Sequence, residues 1–293
     1  MERLLVQTSA SDKDPEFEKE KIDGVPFNEF FRSQGVKIHK RVKNREGKDI
    51  ELTQSCHGNP GYSRMTAEQM QALQDQGHLI LAMERGGLNF ARPSSEAAIA
   101  RSVPFLSVPL PSGSPLYDMA AFLGPTVPGG KEDMPWSAAI GGVSIGNYRT
   151  ASYVAREILT KEFKGVYIWG MQQALVETLL GKLEIPVLGR VKVSNPEKVD
   201  GILIGEVHPT DFEKFEQSTP LGIYSAAVEP SYLMRASAGL QHSVYAGRPE
   251  NTAVLAARIM AAYRPETKLA LKVGATRKAC TYVEPKITID SFE

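Results

Sequence analysis

The chain has 293 residues, enough for one large domain or for two domains of ordinary size. Hydrophobic residues make up 42% and charged residues 23%, so both halves can bury a core. Lys+Arg and Asp+Glu balance at 34 each, which argues against a nucleic-acid or membrane partner. Because long apolar runs and a signal-peptide core are absent and the two cysteines cannot form a disulfide framework, we expect a cytoplasmic protein.

The first third of the chain alternates between predicted strands and helices. "RLLVQTSAS" is an apolar run that predicts a buried strand, and the following "DPEFEKEKIDGVPFNEFFRSQG" has phenylalanines spaced for helix packing, interrupted at Gly24. "VKIHKRV" predicts a strand, and "KNREGKDIEL" predicts a hairpin. "TAEQMQALQDQG" then predicts a helix, because Thr66 and Gln69 form a capping box.

The same alternation continues to residue 163. "HLILAME", "PFLSVPL" and "SAAIGGVSIGN" predict strands, whereas "SSEAAIARSV" and "YRTASYVAREILTKEF" predict helices. Repeated β-loop-α units are typical of a three-layer, doubly wound α/β fold with a parallel sheet, as in flavodoxin-like proteins.

Four similarities in the same order indicate an internal repeat. They pair Pro104 with Pro220, Tyr117 with Tyr232, Gly146 with Gly247, and "VAREIL" with "LAARIM". A second strand-helix-strand pattern begins at "GVYIWGMQQALVETLLGKLEIPVLGRVKV". We therefore predict a tandem duplication with a first domain at 1–163, a degenerate repeat at 164–263 and a C-terminal arm at 264–293.

Three loops of the first half follow predicted strands and contain small or polar residues. They are "TSASD" (8–12), "SCHGNP" (55–60) and "ERGGLNFARP" (84–93). Loops at the carboxyl ends of parallel strands converge on one crevice, where ligands bind. Small-residue loops also offer backbone N–H groups to phosphate.

The histidine of the second loop has several interpretations. A metal site would need further ligands near His57, and no HxH, HExxH or His-Cys cluster accompanies it. Cys56 is a poor candidate nucleophile, because adjacent side chains on a strand point to opposite faces. A lone histidine is commonly structural, but the setting of His57 beside two ligand-type loops favours a general acid/base.

The order of these loops resembles the class I aminoimidazole ribonucleotide carboxylases (PurE), a family that includes the carboxyaminoimidazole ribonucleotide mutases. The family's loops read Gly-Ser-x-Ser-Asp, Ser-Ala-His-Arg-Thr-Pro and a glycine-rich stretch, and "TSASD", "SCHGNP" and "ERGGLNFA" are similar to them. "PFLSVPL" resembles a family strand, and "SIGNYRTAS" and "AGRPENTAVLAARIM" resemble the helix start Ile-Gly-x-x-Gly-Ala-x-Asn-Ala-Ala. The similarity thus covers most of the chain, spread over two copies.

The resemblance implies an enzyme that moves a carboxyl group onto or off C4 of an aminoimidazole ribonucleotide. It implies CO2 or bicarbonate as co-substrate, no metal and no organic cofactor. His57 would be the proton-transferring residue. The resemblance assigns substrate binding to Ser9, Ser11, Asp12, Ser55, Gly86 and Gly87.

This sequence departs from the family at Gly58, where the family has a phosphate-binding arginine. Arg64, Arg85 or Arg92 could replace it, and Arg85 is our first choice because it lies in the third loop. The second copy lacks the first two loops, and we interpret its His208 as structural.

Two alternatives remain open at this point. One is a non-catalytic nucleotide-binding or scaffold protein on the same fold. The other is a carboxylase of nickel-pincer cofactor synthesis, although its sacrificial cysteine is missing from "GPTVPGG". Family members form octamers of single domains, so we predict that four tandem chains form an equivalent homo-oligomer.

Overall fold

The computed structural model of the chain describes the larger part of its residues. They are residues 2–9, 21–39, 41–43, 49–51, 53–54, 63–64, 74–75, 79–85, 103–108, 143–145, 148–171, 173–228, 230–237 and 239–264.

The described residues alternate between strands and helices. The strands are β1 (Arg3–Ser9), β2 (Lys21–Ile22), β3 (Val25–Pro26), β4 (Val36–His39), β5 (Arg41–Lys43), β6 (Asp49–Glu51), β7 (Thr53–Gln54), β8 (Ser63–Arg64), β9 (Leu79–Arg85), β10 (Phe105–Val108), β11 (Val143–Ile145), β12 (Val166–Trp169), β13 (Val187–Val191), β14 (Ile202–Glu206), β15 (Leu221–Ser225) and β16 (Ser243–Tyr245). The helices are α1 (Phe27–Ser33), α2 (Tyr148–Thr160), α3 (Ala174–Leu183), α4 (Phe212–Gln217), α5 (Pro230–Ser237) and α6 (Pro249–Ala262).

The second half contains a five-stranded parallel sheet in the order β13-β12-β14-β15-β16. Its central strands "ILIGE" and "LGIYS" are almost wholly buried, as expected for parallel strands covered on both faces. Helix α6 packs on β14 and β15. On β15, Ile223 belongs to the core that includes α6, whereas the ring of its neighbour Tyr224 contacts Phe212 of α4. Adjacent strand residues face opposite sides, so α4 and α6 cover opposite faces.

The first half has the same arrangement of strands. Its five parallel strands lie in the order β4-β1-β9-β10-β11. Numbered by chain position and leaving out the small hairpin strands, both halves have the order 2-1-3-4-5. The predicted α/β class with a parallel sheet flanked by helices is therefore confirmed.

The two halves join into a single twelve-stranded sheet through their last strands. β11 pairs with β16 in antiparallel orientation, with Ile145 opposite Tyr245. Helix α2 of the first half contacts β16, and helix α6 of the second half contacts β11. Because the joint is antiparallel, the carboxyl ends of the two sets of strands lie at opposite edges of the sheet.

Two hydrogen bonds outside the sheet also connect the halves. The hydroxyl of Thr150 in α2 donates to the carbonyl of Leu240 over 2.5 Å. The hydroxyl of Tyr263, just after α6, donates to the carbonyl of Ile158 in α2. Burial raises the pKa of Tyr263 to about 12, so this donor stays protonated even in mildly alkaline solution. The predicted boundary at residue 164 falls in the connection between α2 and β12, but the two halves share one hydrophobic core.

The structure corrects one prediction near the N-terminus. Of the interrupted helix predicted over 14–35, residues 14–20 lie outside the described residues, residues 21–26 form an antiparallel hairpin of β2 and β3, and the short helix α1 follows. Asp23 and Gly24 adopt φ values of 51° and 83°, the left-handed conformation of a type I′ turn. The Asp-Gly pair between two short apolar segments is a hairpin signal, and the helical spacing of the phenylalanines holds only from Phe27 onward.

The hairpin predicted after "VKIHKRV" is present, because β5 pairs antiparallel with β6. The predicted strand itself is divided: β4 belongs to the main sheet, whereas β5 belongs to the separate hairpin. Of the helix predicted over 66–77, only the helical Gln74 and Asp75 are described, and the helix predicted over 94–103 lies almost wholly outside the described residues.

Candidate functional site

A row of register partners crosses the carboxyl edge of the first half. Ser9, the last residue of β1, is the partner of Arg85, the last residue of β9, and Arg85 is the partner of Val108 at the end of β10. On the other side of β1, Ser9 is the partner of Ser63, which is in turn the partner of Gln54. Three adjacent parallel strands therefore end at the same level.

This row brings together the points from which the three predicted loops leave the sheet. The first loop continues from Ser9 and the third continues from Arg85, and neighbouring strands lie about 4.8 Å apart. The second loop, which contains His57, leaves β7 after Gln54 and returns to β8 at Ser63. Gln54 and Arg85 are three strand spacings apart, about 14 Å.

Only part of the predicted site can be located. The backbones of Ser9 and Arg85 are described and lie next to each other. The other predicted site residues lie outside the described residues: Ser11, Asp12, Ser55, His57, Gly86 and Gly87. Of the alternative arginines, Arg64 lies in β8, opposite Thr53 of β7. Arg92 lies outside the described residues.

The corresponding edge of the second half is closed by its own side chains. The side-chain amide of Gln173, just before α3, donates to the carbonyl of Glu206 over 3.3 Å and accepts from the backbone N–H of Glu206 over 3.1 Å. Gln173 thereby connects the start of α3 with the end of β14. The strands that end here, β12 and β14, correspond to β1 and β9 in the first half.

A carboxylate also occupies the start of α3. Glu177 accepts a two-pronged hydrogen bond from Arg190 over 2.8 and 2.7 Å, and another from the backbone N–H of Gln173 over 3.0 Å. The Arg190 hydrogen bonds, and then the Gln173 N–H, hold the pKa of Glu177 at about 2. A negative charge at a helix N-terminus is favourable, and Glu177 supplies one at the start of α3. Sequence reasoning missed this group, although a glutamate in a first helical turn was a signal for it.

His208 has a local structural contact. It precedes the 3-10 turn Pro209–Asp211, and its Nδ1 lies 2.8 Å from the hydroxyl of Thr210. Nδ1 also accepts a hydrogen bond from the backbone N–H of Thr210 at 3.4 Å. These contacts agree with the interpretation of His208 as a structural residue.

A polar cluster between α2 and the first hairpin was not predicted. Asp23 accepts hydrogen bonds from Arg149 over 3.0 Å and from the hydroxyl of Tyr153. The ring of Tyr153 also meets that of His242 in the second half, with ring centres 5.2 Å apart. Of these contacts, only the one between Tyr153 and His242 connects the halves, whereas those of Asp23 attach the first hairpin to α2.

Within the described residues, no three His, Cys, Asp or Glu side chains lie close enough together to share a metal ion, and no helix is long and apolar enough to cross a membrane. No protein-family model, curated protein or solved structure matches this chain.

Proposed function

We propose that the chain is a tandem PurE-like enzyme that carboxylates, decarboxylates or rearranges a carboxyl group on an aminoimidazole ribonucleotide or a close analogue. The observation that carries the proposal is the row from Gln54 through Ser63 and Ser9 to Arg85. It supports one pocket built from the same three loops whose sequences resemble the family.

The repeated strand order supports the duplication. A flavodoxin-like sheet has the order 2-1-3-4-5, and both halves have it. Pro104 and Pro220, which pair in the repeat, stand immediately before β10 and β15, the fourth strands of their halves. Gly146 and Gly247 follow the fifth strands, β11 and β16. We infer that the second half is a degenerate copy kept for its structure.

In this mechanism His57 takes or gives the proton at C4 of the imidazole while the carboxyl group is transferred. A histidine suits this step because its pKa lies near neutral pH, so both protonation states are accessible. Arg85 supplies the charge that the family takes from an arginine at the position of Gly58. Its register next to Ser9 supports a shared role in holding the phosphate.

The decisive experiment mixes the purified chain with aminoimidazole ribonucleotide and bicarbonate and follows the ultraviolet spectrum. Carboxylation at C4 changes the absorbance of the imidazole, and we expect this change to require His57. If the chain neither carboxylates aminoimidazole ribonucleotide nor decarboxylates or rearranges its carboxylated forms, the enzymatic proposal is wrong.

A second candidate is nucleotide binding without turnover. The observation that favours it is Gly58, because the family's phosphate-binding arginine is missing there. Isothermal titration calorimetry distinguishes the two, since a binding protein gives a saturable heat with the ribonucleotide but leaves its spectrum unchanged. Light scattering tests the predicted assembly of four chains, which a stable monomer would contradict.

A further inference from the structure

The carboxyl edge of the second half has a further polar region where β15 ends and α6 begins. Only residues 246–248 separate β16 from α6, and β16 runs parallel to β15. The first turn of α6 therefore lies at the edge where β15 ends with Ser225. We call Ser225 and residues 247–250 the α6 start. It is separate from the bridge that Gln173 forms between the start of α3 and the end of β14.

The hydroxyl of Ser225 is buried without a hydrogen-bond partner. The residue is 1% exposed, and its Oγ has no partner among the described residues. Ile223 belongs to the core that includes α6, so Ser225, two residues further along β15, also faces α6. Its Oγ is thus directed at the first turn of that helix. Because an unpaired buried hydroxyl is unfavourable, this one indicates a missing partner.

Arg248 adds a positive charge where the helix is already positive. It is the N-cap residue of α6, and its side chain forms no cap hydrogen bond. A helix N-terminus carries a partial positive charge, so an arginine there is unfavourable unless an anion is present. The Nε of Arg248 is also buried without a partner, which holds the guanidinium against the protein. The charge and the unpaired donor both call for an anion.

Two carboxylates lie in this neighbourhood and leave the arginine unpaired. Glu250 is in the first turn of α6, and Glu206 at the end of β14 is the register partner of Ser225. In the described part of the chain neither forms an ion pair with Arg248. The charge of Arg248 is therefore still available to a ligand, and the two carboxylates can accept hydrogen bonds from hydroxyl groups of that ligand.

The helix itself offers a backbone donor. Pro249 at the first position has no N–H, and the N–H of Asn251 donates to the carbonyl of Arg248 over 3.0 Å. This leaves the N–H of Glu250 for a ligand. An arginine fork, a hydroxyl and a helical N–H give more donors than a planar carboxylate needs, and they suit the oxygens of a phosphate group.

We propose that the α6 start binds the phosphate group of a small phosphorylated polyol, such as a sugar phosphate. Arg248, Ser225 and the N–H of Glu250 donate to the phosphate oxygens, and Glu206 accepts from the hydroxyl groups. Ligand reaches the site from solvent, because residues 248–250 are half-buried and Ala227 beyond Ser225 is exposed. The site lies at the edge opposite the three loops of the first half, so the proposal does not rest on the proposed carboxyl transfer.

Isothermal titration calorimetry of the full chain with ribose 5-phosphate tests the proposal. We expect saturable binding that Arg248→Gln weakens about 10- to 100-fold, because a charged hydrogen bond is lost. The matched control is Arg264→Gln, just after the other end of α6, where Glu162 holds the arginine. It should leave the affinity unchanged. Arg85→Gln should leave it unchanged too, which distinguishes this site from the proposed substrate site.

A second measurement is thermal melting of Ser225→Ala with and without ribose 5-phosphate. Removal of an unpartnered hydroxyl should not lower the melting temperature of the free chain, but the ligand should stabilise this variant less than the wild type. Ser243→Ala is the matched control. It removes another buried hydroxyl without a partner (2% exposed), which lies near Phe215 on the α4 face, and should respond to the ligand like the wild type.

Three results would overturn the proposal. The first is the absence of saturable binding of ribose 5-phosphate. The second is binding that persists in Arg248→Gln, or equal stabilisation of Ser225→Ala and the wild type by the ligand. The third comes from a separate titration with inorganic phosphate: binding of inorganic phosphate alone would show that the α6 start does not take a phosphorylated polyol.

Discussion

The carboxyl edges of the two halves differ, although the strands beneath them have the same order. In the first half, Ser9 and Arg85 end neighbouring strands, and loops of small and polar residues follow them. In the second half, Gln173 bridges to Glu206, and Glu177 binds Arg190 at the start of the first helix. The same strand order therefore carries different residues just beyond the strands, and in the second half these residues hydrogen-bond to one another.

The largest expected effect tests whether chemistry belongs to the first half alone. His57→Asn should lower the rate of carboxyl transfer by about 10²–10⁴-fold, because it removes a general acid/base. Nucleotide affinity should change little, as titration calorimetry would show. The matched control is His208→Asn in the second half, which should retain full turnover because His208 contacts Thr210. An equal loss of turnover in both variants would contradict the assignment of the chemistry to the first half alone.

The next prediction compares two arginines. Arg85→Gln should weaken ribonucleotide binding about 10- to 100-fold, the cost of losing a charged hydrogen bond. Arg190→Gln should leave the affinity unchanged, since Glu177 already holds Arg190. Calorimetric titration of both variants gives the two affinities. If Arg190→Gln were the more damaging change, the ligand site would have to be assigned to the second half.

A third prediction tests whether the halves unfold together. A Cβ at Gly222 in β15 would be 2.6 Å from a ring carbon of Phe215 and closer still to Ser243. Gly222→Ala should therefore destabilise the chain by about 1–3 kcal/mol through overpacking. Gly181→Ala in α3, where nothing lies within 4 Å, should instead stabilise it by about 0.5–1 kcal/mol through helix propensity.

Denaturant unfolding followed by two probes checks this prediction. In a Trp136→Phe background, the fluorescence of Trp169 reports on the second half, and far-ultraviolet circular dichroism reports on the whole chain. Coincident transitions are expected because the sheet is continuous across β11 and β16. A separate early transition of the second half would show that the joint is not cooperative.

The smallest expected effect is the change in stability when Glu177, at the carboxyl edge of the second half, loses its charge. The pKa of Glu177 is lowered from 4.5 to about 2, so its stabilising contribution is present above pH 4.5 and is lost as the pH falls toward 2. Glu177→Gln should have a lower melting temperature than the wild type at pH 7, and this difference should shrink between pH 4.5 and 2. Melting curves across this range measure it, and a difference that does not vary with pH would exclude the carboxylate as its source.

Parts of the fold could be predicted because their signals are local. Apolar runs such as "HLILAME" and the amphipathic pattern of α2 are set by neighbouring residues, and both elements are present. The hairpin turn at Asp23-Gly24 also had a local signal, because an Asp-Gly pair between short apolar segments is typical of such a turn.

The candidate site could be predicted only as three loops in order. Their convergence followed from the rule that parallel strands end at one edge, and the register of Ser9 with Arg85 supports it for the first and third loops. The pair of Glu177 and Arg190 could not be predicted, because β13 had to be placed beside β12 first. No local pattern specifies which of many glutamates an arginine will meet.

By itself, the sequence determined the alternation of strands and helices, the parallel α/β class and the positions of the small-residue loops, since these depend on periodicity and turn chemistry over short windows. Only the tertiary structure decided that β11 and β16 join the halves antiparallel and that Gln173 and Glu177 close the second edge. The physical reason is that backbone hydrogen bonds are the same for every strand. Which edges meet is therefore set by packing between residues far apart in the chain, as the contacts of α2 with β16 and of α6 with β11 illustrate.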